Sequence, residues 1–164
     1  MGDGSLATIK RLLAQGADVE EKDESGLTIL QYVVENPSKH SLDIIQILYK
    51  YGANFRDNGF QTNCKRLLHR AIENQSQWTA SMVEFLLDHG ANVDFKDQDG
   101  RIALHHAARN RWKYTVDRMK ILVKHGYNVN EKDNNGSTPL HSAIDENNKW
   151  TASIVRYLRE QGAV

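Results

Sequence analysis

The sequence is poor in cysteine and proline and has no excess of charge of either sign. Cys64 is the one cysteine among 164 residues, which excludes an internal disulfide or a cysteine-based zinc site and favours a reducing compartment. Lys and Arg together number 21, as do Asp and Glu, so the basic excess typical of nucleic-acid-binding domains is missing. We therefore expect an intracellular protein, cytoplasmic with the nucleus as an alternative, that binds no nucleic acid.

Long hydrophobic runs are absent too. No apolar stretch approaches the roughly 18 residues that a membrane-crossing helix needs. The first residues lack the basic and apolar regions of a signal peptide, and with two prolines and no low-complexity tract there is no candidate linker. The sequence predicts one domain, or a short array of repeats, without a membrane span.

What the sequence does contain is a repeat that ends in glycine. A leucine stands four residues before each of these glycines and a second apolar residue stands seven before, which places both on one helical face. A glycine after such a stripe is typical of the left-handed position that ends a helix. The glycines are spaced by 36, 38, 36 and 36 residues, and they are Gly16, Gly52, Gly90, Gly126 and Gly162.

The start of each of these helices is also repeated. Eleven residues before each glycine stands a hydroxyl side chain of the type preferred as a helix N-cap: Ser5, Ser41, Thr79, Thr115 and Thr151. The residues before four of these caps are suited to a hydrophobic staple, in which the residue preceding the cap packs on the first turn. These residues are His40, Trp78, Tyr114 and Trp150.

A second, shorter helix is predicted upstream in each unit, with small residues such as Ala107 and Ala143 on its apolar face. The turn and helix of residues 133–143 resemble the ankyrin repeat, whose signature runs Asp-x-x-Gly-x-Thr-Pro-Leu-His-x-Ala, and residues 97–107 are a close second copy. The resemblance implies an all-α ankyrin-repeat solenoid of stacked antiparallel helix pairs joined by protruding β-turn fingers. It also implies one domain over residues 1–164, with a partial repeat at 1–22 and repeats at about 23–56, 57–96, 97–132 and 133–164.

Two features depart from the usual repeat. The distance from the signature histidine, or Gln31, to the next glycine indicates about three extra residues between the helices, near residues 37–39, 75–77, 111–113 and 147–149. The second finger has two more residues than the others, so the loop 56–65 is expected to be the least regular. We expect a fragment of a longer array, monomeric unless unsealed ends associate, with a naturally short chain as the alternative.

The sequence contains no catalytic signature. It has no His-Glu-x-x-His, phosphate-binding glycine loop or Gly-x-Ser-x-Gly elbow, and no base can be assigned to Cys64. His69, His105 and His141 occupy the signature position, where the resemblance implies structural imidazoles rather than metal ligands. We therefore predict no enzyme activity, cofactor or metal. Asn130 occupies a position that is hydroxylated in some ankyrin repeats, so modification of this chain is a further alternative.

Three tryptophans could serve recognition. Trp78 and Trp150 lie in the staple register, which favours a structural role, whereas Trp112 lies two residues before that register and is less constrained. The prediction is therefore that Trp78 and Trp150 pack within the array.

The resemblance implies that partners bind the concave face formed by the turn tips and first helices. Positions carried over one by one are Glu24, Ser25, Glu35, Asn63, Lys65, Arg70, Gln98, Asp99, Arg101, His106, Arg109, Asn134, Asn135, Asp145 and Glu146. The central positions are basic, so we expect an acidic partner segment to face Arg70, Arg101 and Arg109. The predicted function is a protein–protein interaction module without catalysis. The alternative is a regulatory segment of a larger enzyme, receptor or channel.

Overall fold

A computed structural model describes residues 3–55 and 67–164 of the chain. The loop 56–65, including Cys64, lies outside the described residues. The chain separates into two compact units, Met1–Ala91 and Asn92–Val164. This division falls inside the predicted repeat 57–96, and the single domain and its repeat boundaries stay a prediction.

The described residues form α-helices of two lengths and no β-strand. Apart from the first, longer helices of ten residues alternate with shorter ones of seven or eight, and one isolated antiparallel bridge joins Lys22 to Thr28. The helices are α1 (Asp3–Ala14), α2 (Ile29–Glu35), α3 (Ser41–Lys50), α4 (Leu67–Glu73), α5 (Thr79–Asp88), α6 (Ala103–Arg109), α7 (Thr115–Lys124), α8 (Pro139–Glu146) and α9 (Thr151–Glu160). The all-α repeat predicted from the sequence is therefore confirmed.

In the unit Met1–Ala91 the helices pack as pairs. The short helices α2 and α4 contact each other and pack on the long helices α3 and α5, respectively, and α3 contacts both α1 and α5. Leu48 and Leu86, each four residues before a glycine, are completely buried. Burial of such side chains is the main favourable term that holds one helix pair on the next.

The unit Asn92–Val164 is built in the same way. The short helices α6 and α8 contact each other, α6 packs on α7, and α8 packs on α9. Leu122 and Leu158 are completely buried, and Ala107 and Ala143 are 1% exposed. The small alanine side chains allow the two short helices to approach closely. The lengthened turns between paired helices lie at 110–114 and 147–150, where the sequence predicts them.

The glycine at the end of each long helix closes it as predicted. Gly126 has φ +91°, a left-handed conformation that favours glycine. The backbone N–H of the residue after each glycine donates to the carbonyl of the leucine four residues before that glycine, for example from Ala53 to Leu48 at 2.9 Å. The same bond joins Ala17 to Leu12, Ala91 to Leu86, Tyr127 to Leu122 and Ala163 to Leu158. These are the bonds of a Schellman motif.

The N-cap prediction is wrong by one position in four helices, and Ser5 lies inside α1 rather than at its cap. Ser41, Thr79, Thr115 and Thr151 are the first helical residues, and the cap positions belong to His40, Trp78, Tyr114 and Trp150, none of which makes a side-chain capping bond. The hydroxyl groups of Ser41, Thr115 and Thr151 instead bond backward to the inter-helix turn. Thr115 Oγ1 donates to the Trp112 carbonyl at 2.7 Å, and Thr151 Oγ1 accepts from the Asn148 N–H at 2.8 Å. The hydroxyl therefore fixes the lengthened turn.

Candidate partner-binding surface

An aspartate fixes the backbone of each of the three turn tips that the structure describes. Asp133 Oδ1 accepts backbone N–H bonds from Asn135 and Ser137, both at 2.9 Å. Asp97 makes the same pair of bonds to Asp99 and Arg101, both at 2.9 Å. Asp23 repeats the arrangement with Ser25 and Leu27 in the other unit. These bonds present the tip residues to solvent in a fixed conformation.

Within Asn92–Val164 the structure joins two successive tips. The Asn134 backbone N–H donates to the Asp99 carbonyl at 2.9 Å, and Asn134 Nδ2 donates to the Gln98 carbonyl at 3.0 Å. Three predicted site residues, Gln98, Asp99 and Asn134, therefore form one exposed polar ridge. Asn135 is exposed beside it.

His105 supports this ridge from below, as the structural interpretation of the signature histidines predicts. The imidazole is completely buried, its Nδ1 lies 3.3 Å from the Ile102 N–H, and its Nε2 lies 3.0 Å from the Ser137 carbonyl. Nδ1 therefore accepts and Nε2–H donates, which requires the neutral ring. Burial holds the pKa of His105 below its usual value of 6.5.

His106, a predicted surface residue, is bound to the tip beneath it. Its Nε2 lies 2.8 Å from Asp97 Oδ2. Burial acts to raise the pKa of Asp97, but the N–H of Arg101 and the adjacent imidazole outweigh it and leave that pKa below its ordinary value. Imidazole and carboxylate together fix the base of the ridge.

Arg101 is neutralised by its own neighbours. Its guanidinium lies 3.0 Å from Asp99 Oδ2 and 3.4 Å from Asp133 Oδ2, and only 2% of the Asp133 side chain is exposed. Burial works to raise the pKa of Asp133, but backbone N–H bonds, with Arg101 as a further donor, bring it below its ordinary value. Arg101 therefore stabilises the turn, and its charge is largely committed within the chain.

Arg109 has a different environment, because two guanidinium groups share one carboxylate. Glu146 Oε1 accepts from Arg109 at 3.2 Å, and Glu146 Oε2 accepts from Arg111 at 2.8 Å. These bonds, with Arg111 the strongest contributor, lower the pKa of Glu146. We call Arg109, Arg111 and Glu146 the arginine clamp; it carries one more positive charge than negative.

Arg111 was missed by the sequence analysis. It lies in the lengthened turn after α6, and its side chain is 69% exposed. The only signal in the sequence was the extra segment at residues 111–113. The bond itself spans 35 residues along the chain, and spacing alone does not indicate it.

The predicted residues of the other unit form a weaker group. Glu24 and Ser25 are exposed on the first finger, and Arg70 Nε lies 3.7 Å from Glu35 Oε1. Asn63 and Lys65 lie outside the described residues. The three basic residues expected to face an acidic partner, Arg70, Arg101 and Arg109, each lie beside a carboxylate of this chain. Asp145, the remaining predicted residue, is exposed.

The three tryptophans differ in exposure. Trp78, predicted to pack within the array, is 43% exposed at a helix N-cap. Trp150 is half-buried, with Lys149 Nζ 5.1 Å from its ring centroid. Trp112 and Trp150 line a groove of about 430 Å³ between α7 and α9, on the long-helix side. Trp112, expected to be the less constrained residue, is half-buried.

Asn130 uses its amide to hold the end of the chain. Its Nδ2 donates to the Gly162 carbonyl at 2.9 Å, and its Oδ1 accepts from the Val164 N–H at 3.0 Å. Glu20, at the same place after its glycine, accepts from the Asn54 N–H at 2.8 Å. Each side chain reaches 34 residues forward. Modification of Asn130 stays a prediction.

Within residues 3–55 and 67–164, no cluster of three His, Cys, Asp or Glu side chains is suited to hold a metal ion. Every helix in that part of the chain is too short or too polar to cross a bilayer.

Comparison with known proteins gives one consistent result. A family model described as ankyrin repeats (3 copies) matches residues 1–94 and 68–164. Two fowlpox virus (strain NVSL) proteins named as ankyrin repeat proteins are similar: FPV034 is 35% identical over 82 residues and FPV223 is 34% identical over 89. Protein glp-1 of Caenorhabditis elegans is 29% identical over 102 residues.

These matches are at the level of repeats. They cover 50%, 54% and 58% of this chain, and 17%, 56% and 7% of FPV034, FPV223 and glp-1, respectively. The chain therefore spans less than two thirds of each relative.

Proposed function

Because the chain belongs to the ankyrin-repeat family, whose repeats are generally protein-interaction modules, we propose that it binds a partner protein through its turn tips and first helices and catalyses no reaction. The ankyrin repeat is a non-catalytic interaction fold. The observation that carries the proposal is the arginine clamp, because an exposed cluster with surplus charge at the end of a first helix offers a partner both charge and hydrogen-bond donors.

The proposed surface in Asn92–Val164 combines the ridge and the clamp. The ridge of Gln98, Asp99 and Asn134 is held by backbone bonds, so little conformational entropy is lost when a partner contacts it. Two further exposed polar residues adjoin these groups in the sequence: Asn135 follows Asn134 of the ridge, and Asp145 precedes Glu146 of the clamp. A rigid polar surface of this kind favours specificity.

The partner segment is proposed to be acidic. Arg109 and Arg111 are 43% and 69% exposed, and one carboxylate cannot neutralise both. An incoming Asp or Glu would restore the charge balance through bidentate bonds. Arg101 and Arg70 are less available to bind a partner carboxylate, since each already lies beside a carboxylate of this chain.

The test is binding by a double charge reversal, Arg109→Glu with Arg111→Glu. Immobilised wild-type and variant chains would be exposed to cell lysate, and captured proteins quantified by mass spectrometry at low and physiological salt. Proteins bound by the wild type should be lost from the variant, with the larger loss at low salt, because exposed charges are less screened there. Captured proteins should be confirmed with purified acidic peptides from their sequences.

Arg156→Glu with Arg159→Glu is the matched control, since it changes the net charge by the same amount and both residues are exposed on the long helix α9. Equal capture by the wild type and both variants would contradict a role for the clamp. A partner lost equally from both variants would point to net charge rather than to this surface.

The alternative function is a regulatory role within a larger protein whose activity lies outside these 164 residues. The small share of FPV034 and glp-1 that is matched supports this alternative. An intracellular, monomeric state is part of the main proposal, with association of unsealed ends as the exception. Cell fractionation and sedimentation of the purified chain test these points.

A further inference from the structure

The groove between α7 and α9 lies between two complete helix pairs. The short helix α6 packs on α7, α8 packs on α9, and the two long helices contact each other. The groove has a volume of about 430 Å³, and its lining includes the buried side chains of Ile154 and Tyr157. Because each wall is a long helix with its own short helix packed on it, the opening belongs to the surface between two neighbouring repeats.

Two tryptophans line the end of the groove at which both long helices begin. Trp112 lies three residues before α7, Trp150 is the N-cap of α9, and both are half-buried. Thr115 Oγ1 donates to the Trp112 carbonyl at 2.7 Å, which fixes the backbone that carries this indole. Trp112 Nε1–H is buried and has no acceptor among the described residues, so an acceptor from a partner would relieve the cost of an unpaired donor.

Cations lie further along both helices. Lys120 and Arg156 each stand five residues after the first residue of their helix, and Lys113 lies beside the first tryptophan. Among the described residues that line the groove, these three exposed cations accompany the single carboxylate of Glu160. Lys120 also lies 3.4 Å from Asp117, but this pair is more than half exposed and therefore weak. The lining thus favours a negatively charged ligand.

The same positions of the unit Met1–Ala91 carry different side chains. In α3 and α5, Gln46 and Glu84 stand five residues into their helices, where the α7–α9 groove has two cations. Ser38 stands three residues before α3, in the place of the first tryptophan of the groove. The combination of aromatic and basic side chains is therefore specific to the α7–α9 groove and is not a general property of these repeats.

We propose that the α7–α9 groove binds a short acidic segment of a partner protein, in which an aromatic or other apolar residue is flanked by Asp or Glu. The apolar residue contacts Trp112 and Trp150, and the flanking carboxylates face Lys120 and Arg156. Five residues of helix span about 7.5 Å, a distance that two or three residues of an extended peptide cover. The apolar and acidic residues are therefore expected two or three positions apart.

A peptide fits this groove better than a nucleic acid does. The 164-residue chain has no net charge, whereas domains that bind a phosphate backbone are normally basic. Glu160 would repel a phosphate at its end of the groove, because a nucleic acid carries a charge at every nucleotide. A peptide can place its carboxylates beside the cations alone. The groove shares no residue with the arginine clamp, so failure of the clamp as a binding site would leave this proposal standing.

The probe is the acetylated peptide Gly-Ser-Asp-Glu-Phe-Glu-Asp-Gly-Ser, titrated into the ¹⁵N-labelled 164-residue chain. The indole N–H signals of the three tryptophans are each assigned from the signal that the phenylalanine variant loses. The Trp112 and Trp150 signals should shift saturably, with Trp112 moving downfield as its N–H gains an acceptor. Trp78, which lies in the other unit and is 43% exposed, is the internal control and should not shift. Absence of saturable shifts at Trp112 and Trp150, or equal shifts at all three, would overturn the proposal.

Lys120→Glu with Arg156→Glu should weaken binding about tenfold or more at low salt, because both attractive contacts become repulsive. The clamp variant Arg109→Glu with Arg111→Glu changes the net charge by the same amount and should bind this peptide like the wild type. Binding that is lost from the clamp variant but kept in the groove variant would place the site at the clamp instead.

Amide spectra check that the variants are folded, and Lys113→Glu gives a second test of the charge requirement if the groove variant is not. Arg156→Glu with Arg159→Glu, the net-charge control for the clamp, removes one cation of the groove. It should therefore lose affinity for this peptide while it keeps proteins that bind the clamp. Wild-type affinity in folded groove and Lys113 variants would refute the site.

The class of ligand is tested with three related compounds. A peptide with Gln in place of every acidic residue should not bind, and one with Ala in place of Phe should bind several-fold more weakly. Wild-type affinity of either peptide would contradict the corresponding part of the proposal. An oligothymidylate of equal charge should bind more weakly than the acidic peptide. Tighter binding of the oligonucleotide at the same two indole signals would replace the acidic peptide by a nucleic acid as the ligand.

Discussion

Asn134 lies directly against Gly100, so the turn tip that contains Asn134 packs on the preceding tip, which contains Gly100. A Cβ added to Gly100 would lie 2.9 Å from the Asn134 backbone nitrogen and would overlap its side-chain amide. Gly100 also has φ +76°. The glycine is therefore required both by its own backbone and by its neighbour.

Gly100→Ala should lower the free energy of unfolding by about 2–4 kcal/mol, combining left-handed strain with the clash. Gly136→Ala is the matched control. It has the same strain, φ +78°, but nothing within 4 Å of the added Cβ, so we expect about 1 kcal/mol. Urea unfolding of the two variants gives the comparison. Equal losses would show that the contact with Asn134 contributes nothing.

His105 should make the chain sensitive to mild acid. Burial keeps the folded-state pKa below 6.5, so as pH falls below about 6.5 the unfolded chain takes up a proton first and stability declines until the folded pKa is reached. The slope for one proton is at most about 1.4 kcal/mol per pH unit. His105→Gln should flatten this dependence, because Gln31 already serves as an uncharged acceptor at the same place, 2.9 Å from the Thr28 N–H.

Urea unfolding between pH 5 and pH 7, with about half-unit steps, measures the slope. His141→Gln is the control, because that imidazole is exposed at the equivalent position. An unchanged slope in His105→Gln would assign the acid sensitivity to other groups.

Thr115 provides a test of the revised helix start. At an N-cap, aspartate serves as well as threonine. Thr115 Oγ1, however, donates to the Trp112 carbonyl, and a carboxylate cannot donate. Thr115→Ser should therefore retain most of the stability, whereas Thr115→Asp should lose about 2 kcal/mol or more from burying an unpaired acceptor. Thermal unfolding distinguishes the two, and a tolerated aspartate would restore the N-cap interpretation.

Asn130 should stabilise the last helix, α9, because its side chain holds the residues that follow that helix. Asn130→Ala removes both bonds to residues 162–164 and should cost about 1–2 kcal/mol, localised to α9. Hydrogen exchange of the α9 amides is the measurement. Asn130→Asp keeps the acceptor for the Val164 N–H and loses the donor to Gly162, so an intermediate effect is expected. Uniform loss of protection throughout α6–α9 would argue against a local role.

The helices were predictable because each is encoded locally. The leucine four residues before each glycine and the small residues of the short helices lie within one element, so periodicity alone reveals them. The starts of α3, α5, α7 and α9 were placed one residue late because Ser and Thr at a helix start resemble caps, whereas here the lengthened turn competes for the hydroxyl. That competition depends on the conformation of residues 110–114 and 147–150, which the residue types do not specify.

The surface was predictable as a set of positions but not as a charge distribution. Glu146 is 35 to 37 residues from its two arginines, and only the stacking of α8 on α6 brings them together. The position of Arg118 was even less predictable from the sequence. This arginine is 1% exposed, and burial lowers its pKa to about 10. Arginine is almost never predicted inside a core, because its charge favours water.

The forward bonds of Glu20 and Asn130 link the length of a repeat to its contacts. A side chain that meets a backbone group 34 positions later keeps this bond only where any extra residue in the intervening stretch is accommodated by a loop. An insertion within a helix would instead move the two groups apart. We therefore expect changes in the length of this chain to occur as complete repeats or as loop insertions, of which the 38-residue spacing between Gly52 and Gly90 is an example.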